Sequence, residues 1–189
     1  MAALLAERGA VVVDADRLAR DAVAAGTPGH RAVVDRFGPG VVAGDGSLDR
    51  KALAGLVFDD PGALADLNAI VHPAVRAAIA DRLAELAPTD AIVVLEIPLL
   101  VESGRSYGAS TVIVVDCPEE VALRRLVEGR GMDPDDARRR MAAQASRARR
   151  LAAADIVVDN AGSTADLERQ VDQLWARLAS GNRGPPRRS

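Results

Sequence analysis

The amino-acid sequence predicts an α/β domain built on a parallel β-sheet. Four short apolar runs carry this prediction, because each is nearly continuous in Val, Ile, Leu and Ala. Such runs are typical of parallel strands that are buried on both faces. The runs lie at residues 10–13, 91–95, 111–115 and 155–158. Helical stretches separate them, which favours an α/β order over an all-β or all-α domain.

Eight helical stretches follow or separate the predicted strands, and their ends carry recognisable start signals. Pro118 and Pro134 each stand at the start of a stretch with acidic residues directly behind, which suits the first turn of a helix. Most of the stretches fall between the first two strands, so we expect a large helical insertion there. The stretches are residues 17–25, 30–37, 50–58, 61–70, 73–87, 118–128, 134–150 and 164–179.

A chain of 189 residues is long enough to bury the core of one domain of ordinary size. The helical insertion and a charged hairpin between the third and fourth strands interrupt its core. The tail is rich in Gly, Pro and Arg and is predicted to be disordered. The predicted parts are a core of residues 1–26, 88–123 and 151–180, a substrate-side insertion of 27–87, a lid of 124–150 and a tail of 181–189.

Composition disfavours several classes of protein. The net charge of −3 gives no general attraction to nucleic acid or membrane surfaces, and one Trp, one Tyr and two Phe offer few platforms for stacking bases. The single cysteine, Cys117, excludes an internal disulfide, and we expect a buried, inert thiol. Because no signal peptide or membrane span is visible, the sequence predicts a soluble cytoplasmic protein.

Two carboxylates follow the first predicted strand directly. Asp14 and Asp16 are separated by one residue and precede a helix. In a doubly wound sheet the carboxyl ends of the strands line the ligand crevice, so both acids are candidates for catalysis. The alternative is that Asp16 is the N-cap of the following helix.

Six arginines lie in one stretch of 13 residues inside the predicted lid. Arginines on a mobile lid can neutralise transferring phosphoryl groups through bidentate contacts. The alternatives are the compositional habit of a GC-rich genome, or a solvated helix face on which Glu128, Asp135 and Asp136 pair with the arginines. The six are Arg138, Arg139, Arg140, Arg147, Arg149 and Arg150.

Two further candidates are weaker by themselves. His72 is expected to begin a new helix after a break, where a lone histidine more often holds a turn than performs catalysis. Asn160 and Gly162 follow the last predicted strand, and they either contour a base-binding loop or merely end the strand.

An ordered series of motifs resembles the dephospho-coenzyme A kinase family, a group of P-loop kinases. The resemblance runs from about Leu4 to Trp175. Its motifs are VVDADRLAR at 12–20, TPG at 27–29, DGSLDR at 45–50, LNAIVHP at 67–73, IPLLVE at 97–102, RMAAQ with a further arginine at 140–150, and ADIVVDNAG at 154–162.

The resemblance implies a P-loop-kinase-like parallel sheet with a helical coenzyme A-side insertion and an arginine-rich lid. It also implies ATP and Mg²⁺ as cofactors and dephospho-coenzyme A as substrate, and transfer of a phosphoryl group to the ribose 3′-hydroxyl. Asp16 resembles the general base, with Asp14 beside it, and Arg140 resembles a catalytic lid arginine. The implied ATP contacts are Arg140, Arg147, Arg150, Asn160 and Gly162, and the implied substrate contacts are Asp16, His72, Pro98, Leu99 and Glu102.

The sequence departs from this family at its start. The chain contains no GxxxxGK[ST] loop, and Lys51, its only lysine, lies in the insertion. Residues 1–9 resemble the end of a helix that such a loop would precede, so the first, central strand and the Mg²⁺-binding hydroxyl would lie upstream. We therefore expect a misplaced start codon, and reading the in-frame DNA upstream of codon 1 tests this.

Two alternatives to an active dephospho-coenzyme A kinase stay open at this point. One is a non-catalytic remnant that still binds coenzyme A-like ligands or a partner. The other is a P-loop kinase that acts on a different small molecule. In each case we expect a monomer or weak oligomer with no nucleic-acid or membrane partner.

Overall fold

A computed structural model describes residues 1–181. Its helices are α1 (Ala2–Glu7), α2 (Ala15–Ala22), α3 (Pro28–Phe37), α4 (Arg50–Val57), α5 (Pro61–Leu86), α6 (Leu100–Ser103), α7 (Glu119–Arg124), α8 (Pro134–Ala142), α9 (Arg147–Ala153) and α10 (Thr164–Ala179). Its strands are β1 (Val11–Asp14), β2 (Val93–Glu96), β3 (Ile113–Asp116) and β4 (Ile156–Asp159). A 3₁₀ turn covers Pro39–Val41 and a π-helical turn covers Arg125–Gly129. The predicted disordered tail lies, apart from Gly181, outside the described residues.

The four predicted strands all form, and they pair two by two. β1 pairs with β2, and β3 pairs in parallel with β4, with Ile113 opposite Ile156. The α/β class is therefore confirmed. The predicted burial on both faces is wrong for Val115 and Val157, which are 42% and 49% exposed. In a two-stranded sheet each strand has a neighbour on one side only, so its open edge leaves side chains accessible.

The predicted break between the helical stretches 61–70 and 73–87 does not occur. Instead α5 runs through Pro73 as one helix of 26 residues, and the carboxylate of Asp60 caps its start. Proline removes one backbone hydrogen bond from a helix. Both halves of α5 bury side chains, Ala63 in the first half and Ile79 in the second, and packing of this kind supplies most helical stability in proteins.

The predicted helix 134–150 is two helices, α8 and α9. The side chain of Ser146 accepts a hydrogen bond from the backbone N–H of Arg149 and so caps the start of α9. A serine that bonds its own backbone in this way favours a new helix start over a helix interior. By contrast, α10 has the predicted bounds, and its Ser163–Asp166 capping box fixes the first turn.

The described chain forms two compact units, Val13–Ile97 and a unit made of Met1–Val12 with residues 98–181. In the first of these, the helical unit, α2, α3 and α4 pack against α5. Its core contains Val33, Val41 and Leu53 with partly buried apolar neighbours around them. In the other, the lid unit, α10 packs on β4, α9 packs on β3, and α1 packs on α10. The helical unit thus combines the predicted insertion with its flanking core segments.

The TPG motif at 27–29 forms a close junction inside the helical unit. Thr27 caps α3, and its hydroxyl donates to the carbonyls of Ala22 and Ala24 at 3.0 and 2.8 Å. A Cβ atom placed on Gly29 would lie 2.2 Å from the carbonyl oxygen of Ala22. The backbone of α3 therefore approaches the end of α2 more closely than a residue with a Cβ atom would allow. This close approach explains why position 29 is a glycine.

Candidate active site

The carboxylate of Asp14 caps α2. Its Oδ1 accepts hydrogen bonds from the backbone N–H groups of Asp16 and Arg17 at 2.8 and 3.1 Å. The alternative in which Asp16 performs this capping is therefore wrong. Asp16 is exposed, and no residue among 1–181 donates to its carboxylate. Asp16 therefore has both carboxylate oxygens available for chemistry, whereas Asp14 uses its Oδ1 in the cap.

His72 lies within α5, one residue before Pro73, and its side chain is exposed. The expectation that it begins a helix after a break is wrong, because α5 is continuous at this point. A histidine on a helix surface does not hold a turn. Its imidazole is instead open to solvent or to a ligand.

The three consecutive arginines of α8 differ in their partners. Arg138 pairs with Asp135 at 2.8 Å, and Arg139 pairs with Asp136. These are the solvated i,i+3 pairs that the structural alternative predicted. Arg140 is exposed and has no carboxylate partner in the described part of the chain. Arg140 is thus the guanidinium on α8 that is free to meet an anion.

Arg147, at the start of α9, binds the carboxylate that ends β3. Its Nε lies 2.9 and 3.0 Å from the two oxygens of Asp116, and its Nη2 lies 2.6 Å from Oδ2. Asp116 is only 7% exposed, whereas the Arg147 side chain keeps 44% of its surface accessible. The hydrogen bond from Arg147 holds the pKa of Asp116 below its usual range, against the effect of burial. Arg147 therefore anchors α9 to β3.

Asp116 was missed by the sequence reasoning, although a signal for it exists. It follows an apolar run directly and ends β3, as Asp14 ends β1. Such an acid points into the end of a sheet and needs a cation or a donor. The next residue, Cys117, is half-buried with a free thiol, so its predicted burial is only partial.

The turn between α8 and α9 is held through both backbone groups of Ala145. Its N–H donates to Oε1 of Glu102 at 2.6 Å, and its carbonyl accepts from Nη1 of Arg150 at 2.6 Å. Glu102 and Arg150, two predicted site residues, are therefore both bonded to the backbone of Ala145. Pro98 and Leu99, which precede α6, are exposed, and Leu99 keeps 51% of its surface accessible.

Asn160 and Gly162 lie in the loop between β4 and α10. The backbone N–H of Asn160 donates to the carbonyl of Asp116 at 2.7 Å. A Cβ atom on Gly162 would lie 2.8 Å from Oδ2 of Asp166, so the loop packs closely on the start of α10. Asp116 thus contacts Arg147 through its side chain and this loop through its backbone.

The predicted site residues divide between the two units. Asp14, Asp16 and His72 belong to the helical unit. The remaining ones belong to the lid unit, and they are Pro98, Leu99, Glu102, Arg140, Arg147, Arg150, Asn160 and Gly162. Across residues 1–181, no group of three or more His, Cys, Asp or Glu side chains could hold a metal ion. None of the described helices is long and apolar enough to cross a membrane.

We expect Arg147→Gln to lower the thermal stability near neutral pH, and the deficit to shrink below about pH 4. Because the pKa of Asp116 is lowered in the folded protein, its carboxylate stabilises the fold above the unfolded-state pKa. This contribution is lost as the pH falls through the folded-state pKa. In Arg147→Gln the buried carboxylate loses its cation, and the penalty is greatest where it must stay ionised.

Thermal unfolding followed by circular dichroism from about pH 2.5 to neutral pH measures this effect. Arg149→Gln is the matched control, because Arg149 lies on the same helix and has no carboxylate partner within residues 1–181. A deficit that is constant over the pH range would contradict a role for the Asp116 charge.

Comparison with known proteins first gives the class of the protein. The family model of dephospho-CoA kinase matches residues 1–166. The fold is also that of solved structures: a Thermus thermophilus crystal structure superposes with a TM-score of 0.77 at 38% identity, covering 94% of this chain and 89% of that one. The dephospho-CoA kinase from Campylobacter jejuni superposes with a TM-score of 0.67 at 25% identity, covering 93% and 88%. The protein is thus a kinase, an enzyme of the transferase class.

Individual relatives then give the family. A dephospho-CoA kinase of Streptomyces avermitilis is 54% identical over 175 residues, which cover 93% of this chain and 85% of the relative. One of Leifsonia xyli is 50% identical over 180 residues, with 94% and 91% covered. The chain belongs to the dephospho-CoA kinase family, as its ordered motifs predicted.

Proposed function

We propose that this enzyme transfers the γ-phosphoryl group of ATP to the ribose 3′-hydroxyl of dephospho-coenzyme A, which gives coenzyme A and ADP. This is the last step of coenzyme A synthesis. Family membership supports the reaction, and Asp16 carries the mechanism. It is an exposed carboxylate in the first turn of α2, two residues beyond the end of β1. Among residues 1–181 nothing pairs with it, and Asp14 supplies the cap of α2.

In the proposed mechanism Asp16 accepts the proton of the 3′-hydroxyl. The hydroxyl oxygen attacks the γ-phosphorus, the bond from that phosphorus to the bridging oxygen of ADP breaks, and the proton resides on Asp16 until solvent removes it. A base of this kind typically accelerates a reaction by about 10²–10⁴. Ordering of the two substrates and neutralisation of phosphate charge supply the rest.

Arg140 is proposed to hold the transferring phosphoryl group. Its guanidinium is unpaired in the described chain, whereas Arg138 and Arg139 are engaged with carboxylates of their own helix. Arg150 uses one N–H on Ala145 and Arg147 uses its fork on Asp116. Arginine has five N–H donors, so both retain donors for the phosphates of ATP.

The remaining predicted contacts divide between the two substrates. Asn160 and Gly162 are proposed to hold the adenine of ATP. His72, Pro98, Leu99 and Glu102 are proposed to contact dephospho-coenzyme A, with exposed Leu99 as an apolar surface. Mg²⁺ is proposed to enter as a complex with ATP, because Mg²⁺ commonly binds substrate phosphates with few protein ligands. When bound it neutralises phosphate charge, and the described residues form no metal cage for it.

We further propose a cytoplasmic enzyme that works as a monomer or weak oligomer. Its phosphoryl donor is available in the cytoplasm. Light scattering on a size-exclusion column measures the oligomeric state directly, and a stable higher oligomer at micromolar concentration would contradict the proposal.

The reaction is tested with the full-length protein, Mg-ATP and dephospho-coenzyme A. The expected result is coenzyme A and ADP in equal amounts, identified by mass spectrometry. Binding of dephospho-coenzyme A without ADP formation would identify a non-catalytic remnant. Faster phosphorylation of a nucleoside monophosphate or a sugar acid in the same assay would change the substrate class.

A further inference from the structure

Arg125 binds three successive backbone carbonyls of the loop between β4 and α10. Its Nη1 donates to the carbonyl of Asn160, and its Nη2 donates to those of Ala161 and Gly162 at 3.3 and 2.9 Å. Arg125 is the first residue of the π-helical turn that follows α7. No carboxylate in residues 1–181 pairs with it, so these carbonyls are its described partners.

The N–H groups of the same loop have different partners. Asn160 N–H donates to the Asp116 carbonyl at 2.7 Å, and Ala161 N–H donates to Oδ1 of Asp159 at 2.8 Å. The Gln170 side chain binds the backbone N–H and carbonyl of Asp159 at 2.9 and 2.7 Å. Gln170 thus donates to the carbonyl that precedes this loop, whereas Arg125 is the one donor among residues 1–181 to the carbonyls of Asn160, Ala161 and Gly162.

Gly162 N–H differs from its neighbours, because no acceptor for it exists within the described chain. A side chain at this position would approach Oδ2 of Asp166 to 2.8 Å. The loop therefore presents one backbone donor at a glycine whose surroundings leave little room for a Cβ atom. Backbone donors at such positions commonly bind ligands.

Three carbonyl oxygens that converge on one point repel one another unless a donor stands between them. A guanidinium suits this position, because its planar fork carries several N–H donors and a charge that strengthens each hydrogen bond. π-helical turns are rare in proteins, and many of those that occur lie at functional sites. Here the turn places Arg125 against a loop that lies 35–37 residues further along the chain.

We propose that Arg125 is a positioning residue for the adenine of ATP, and that it acts by holding the three carbonyls so that Gly162 N–H faces the base. The inference rests on the proposed function, which places adenine at Asn160 and Gly162. Adenine carries an acceptor at ring nitrogen N1, whereas guanine carries an N–H there. A backbone N–H at this point can donate to N1 of adenine but meets the N–H of guanine, so it favours adenine. Arg125, which holds the loop, thereby contributes to base selection.

The variants Arg125→Gln and Arg125→Lys test this in the full-length protein. We expect both to raise KM for ATP by about tenfold and to reduce the preference for ATP over GTP, with KM for dephospho-coenzyme A unchanged. Lysine keeps the charge but lacks the planar fork, so it should not restore base selection. Arg124→Gln is the control, because Arg124 is an exposed neighbour with no hydrogen-bond partner for its side chain in residues 1–181.

Calorimetric binding of ADP and of inorganic tripolyphosphate separates the base from the phosphates. The proposal requires weaker ADP binding and unchanged tripolyphosphate binding in both variants. It is overturned if KM for ATP stays within about twofold of the wild type. It is also overturned if Lys restores the wild-type values, or if tripolyphosphate weakens equally, because Arg125 would then act by charge on the phosphates.

The same assays distinguish a failure of the proposed function from a failure of the Arg125 proposal alone. A wild-type protein that neither binds ADP nor consumes ATP would overturn both proposals together. A wild-type enzyme that prefers ATP over GTP, with variants that keep this preference and unfold at a lower temperature, would overturn the role of Arg125 alone.

Discussion

Asp16→Asn is expected to lower kcat by about 10²–10⁴, with little change in the affinity for ATP. Asparagine has nearly the same shape as aspartate but cannot accept the proton of the 3′-hydroxyl at neutral pH. The loss should therefore appear in the chemical step. Single-turnover kinetics with dephospho-coenzyme A measure this step directly.

Asp16→Asn removes no contact that stabilises the fold within residues 1–181, so a change in rate can be assigned to the chemical step. The carboxylate of Asp16 accepts no hydrogen bond from residues 1–181, and the cap of α2 is supplied by Asp14. Asp16→Asn should therefore leave the melting temperature unchanged. Asp21→Asn is the matched control, because Asp21 lies exposed on the same helix in a weak 3.9 Å pair with Arg17.

Asp14→Asn distinguishes the two acids. Asparagine caps helices about as well as aspartate, so this variant should fold normally. If Asp14→Asn abolishes phosphoryl transfer and Asp16→Asn leaves the rate unchanged, the base is Asp14, and the proposed assignment is wrong.

Local patterns in the sequence predicted those parts of the fold that local interactions determine. The strands follow from apolar runs, and α10 has the bounds that its helical stretch predicted, with Ser163 as the cap that the structure adds. The continuity of α5 was missed, because Pro73 is a local break signal that packing of both halves outweighs. The break between α8 and α9 was missed because the arginine-rich segment has no Gly or Pro to mark it.

The contacts that organise the lid unit could not be predicted in the same way. Asp116 and Arg147 are 31 residues apart, and Glu102 and Ala145 are 43 residues apart. The sequence showed six clustered arginines, but the partner of each depends on tertiary structure. Arg138 and Arg139 have carboxylate partners and Arg140 has none among residues 1–181, and this difference makes Arg140 the candidate for phosphate binding.

Arg140→Ala is expected to lower kcat by about 10³ or more, as for other arginines that neutralise a transferring phosphoryl group. The melting temperature should stay within the error of the wild type, because Arg140 is exposed and no carboxylate within residues 1–181 pairs with it. Arg140→Lys should recover only part of the rate, since an ammonium cannot form the bidentate contact of a guanidinium.

Arg138→Ala and Arg139→Ala provide matched controls on the same helix. Each removes one positive charge from the lid, and each loses only an exposed i,i+3 pair, which contributes about 0.2–0.5 kcal/mol. If all three variants lowered kcat equally, the lid would act through its summed charge, and no single guanidinium would contact the phosphoryl group. If only Arg140→Ala lowered the melting temperature, Arg140 would be structural. The proposed role requires that kcat falls for Arg140→Ala alone while all three proteins melt together.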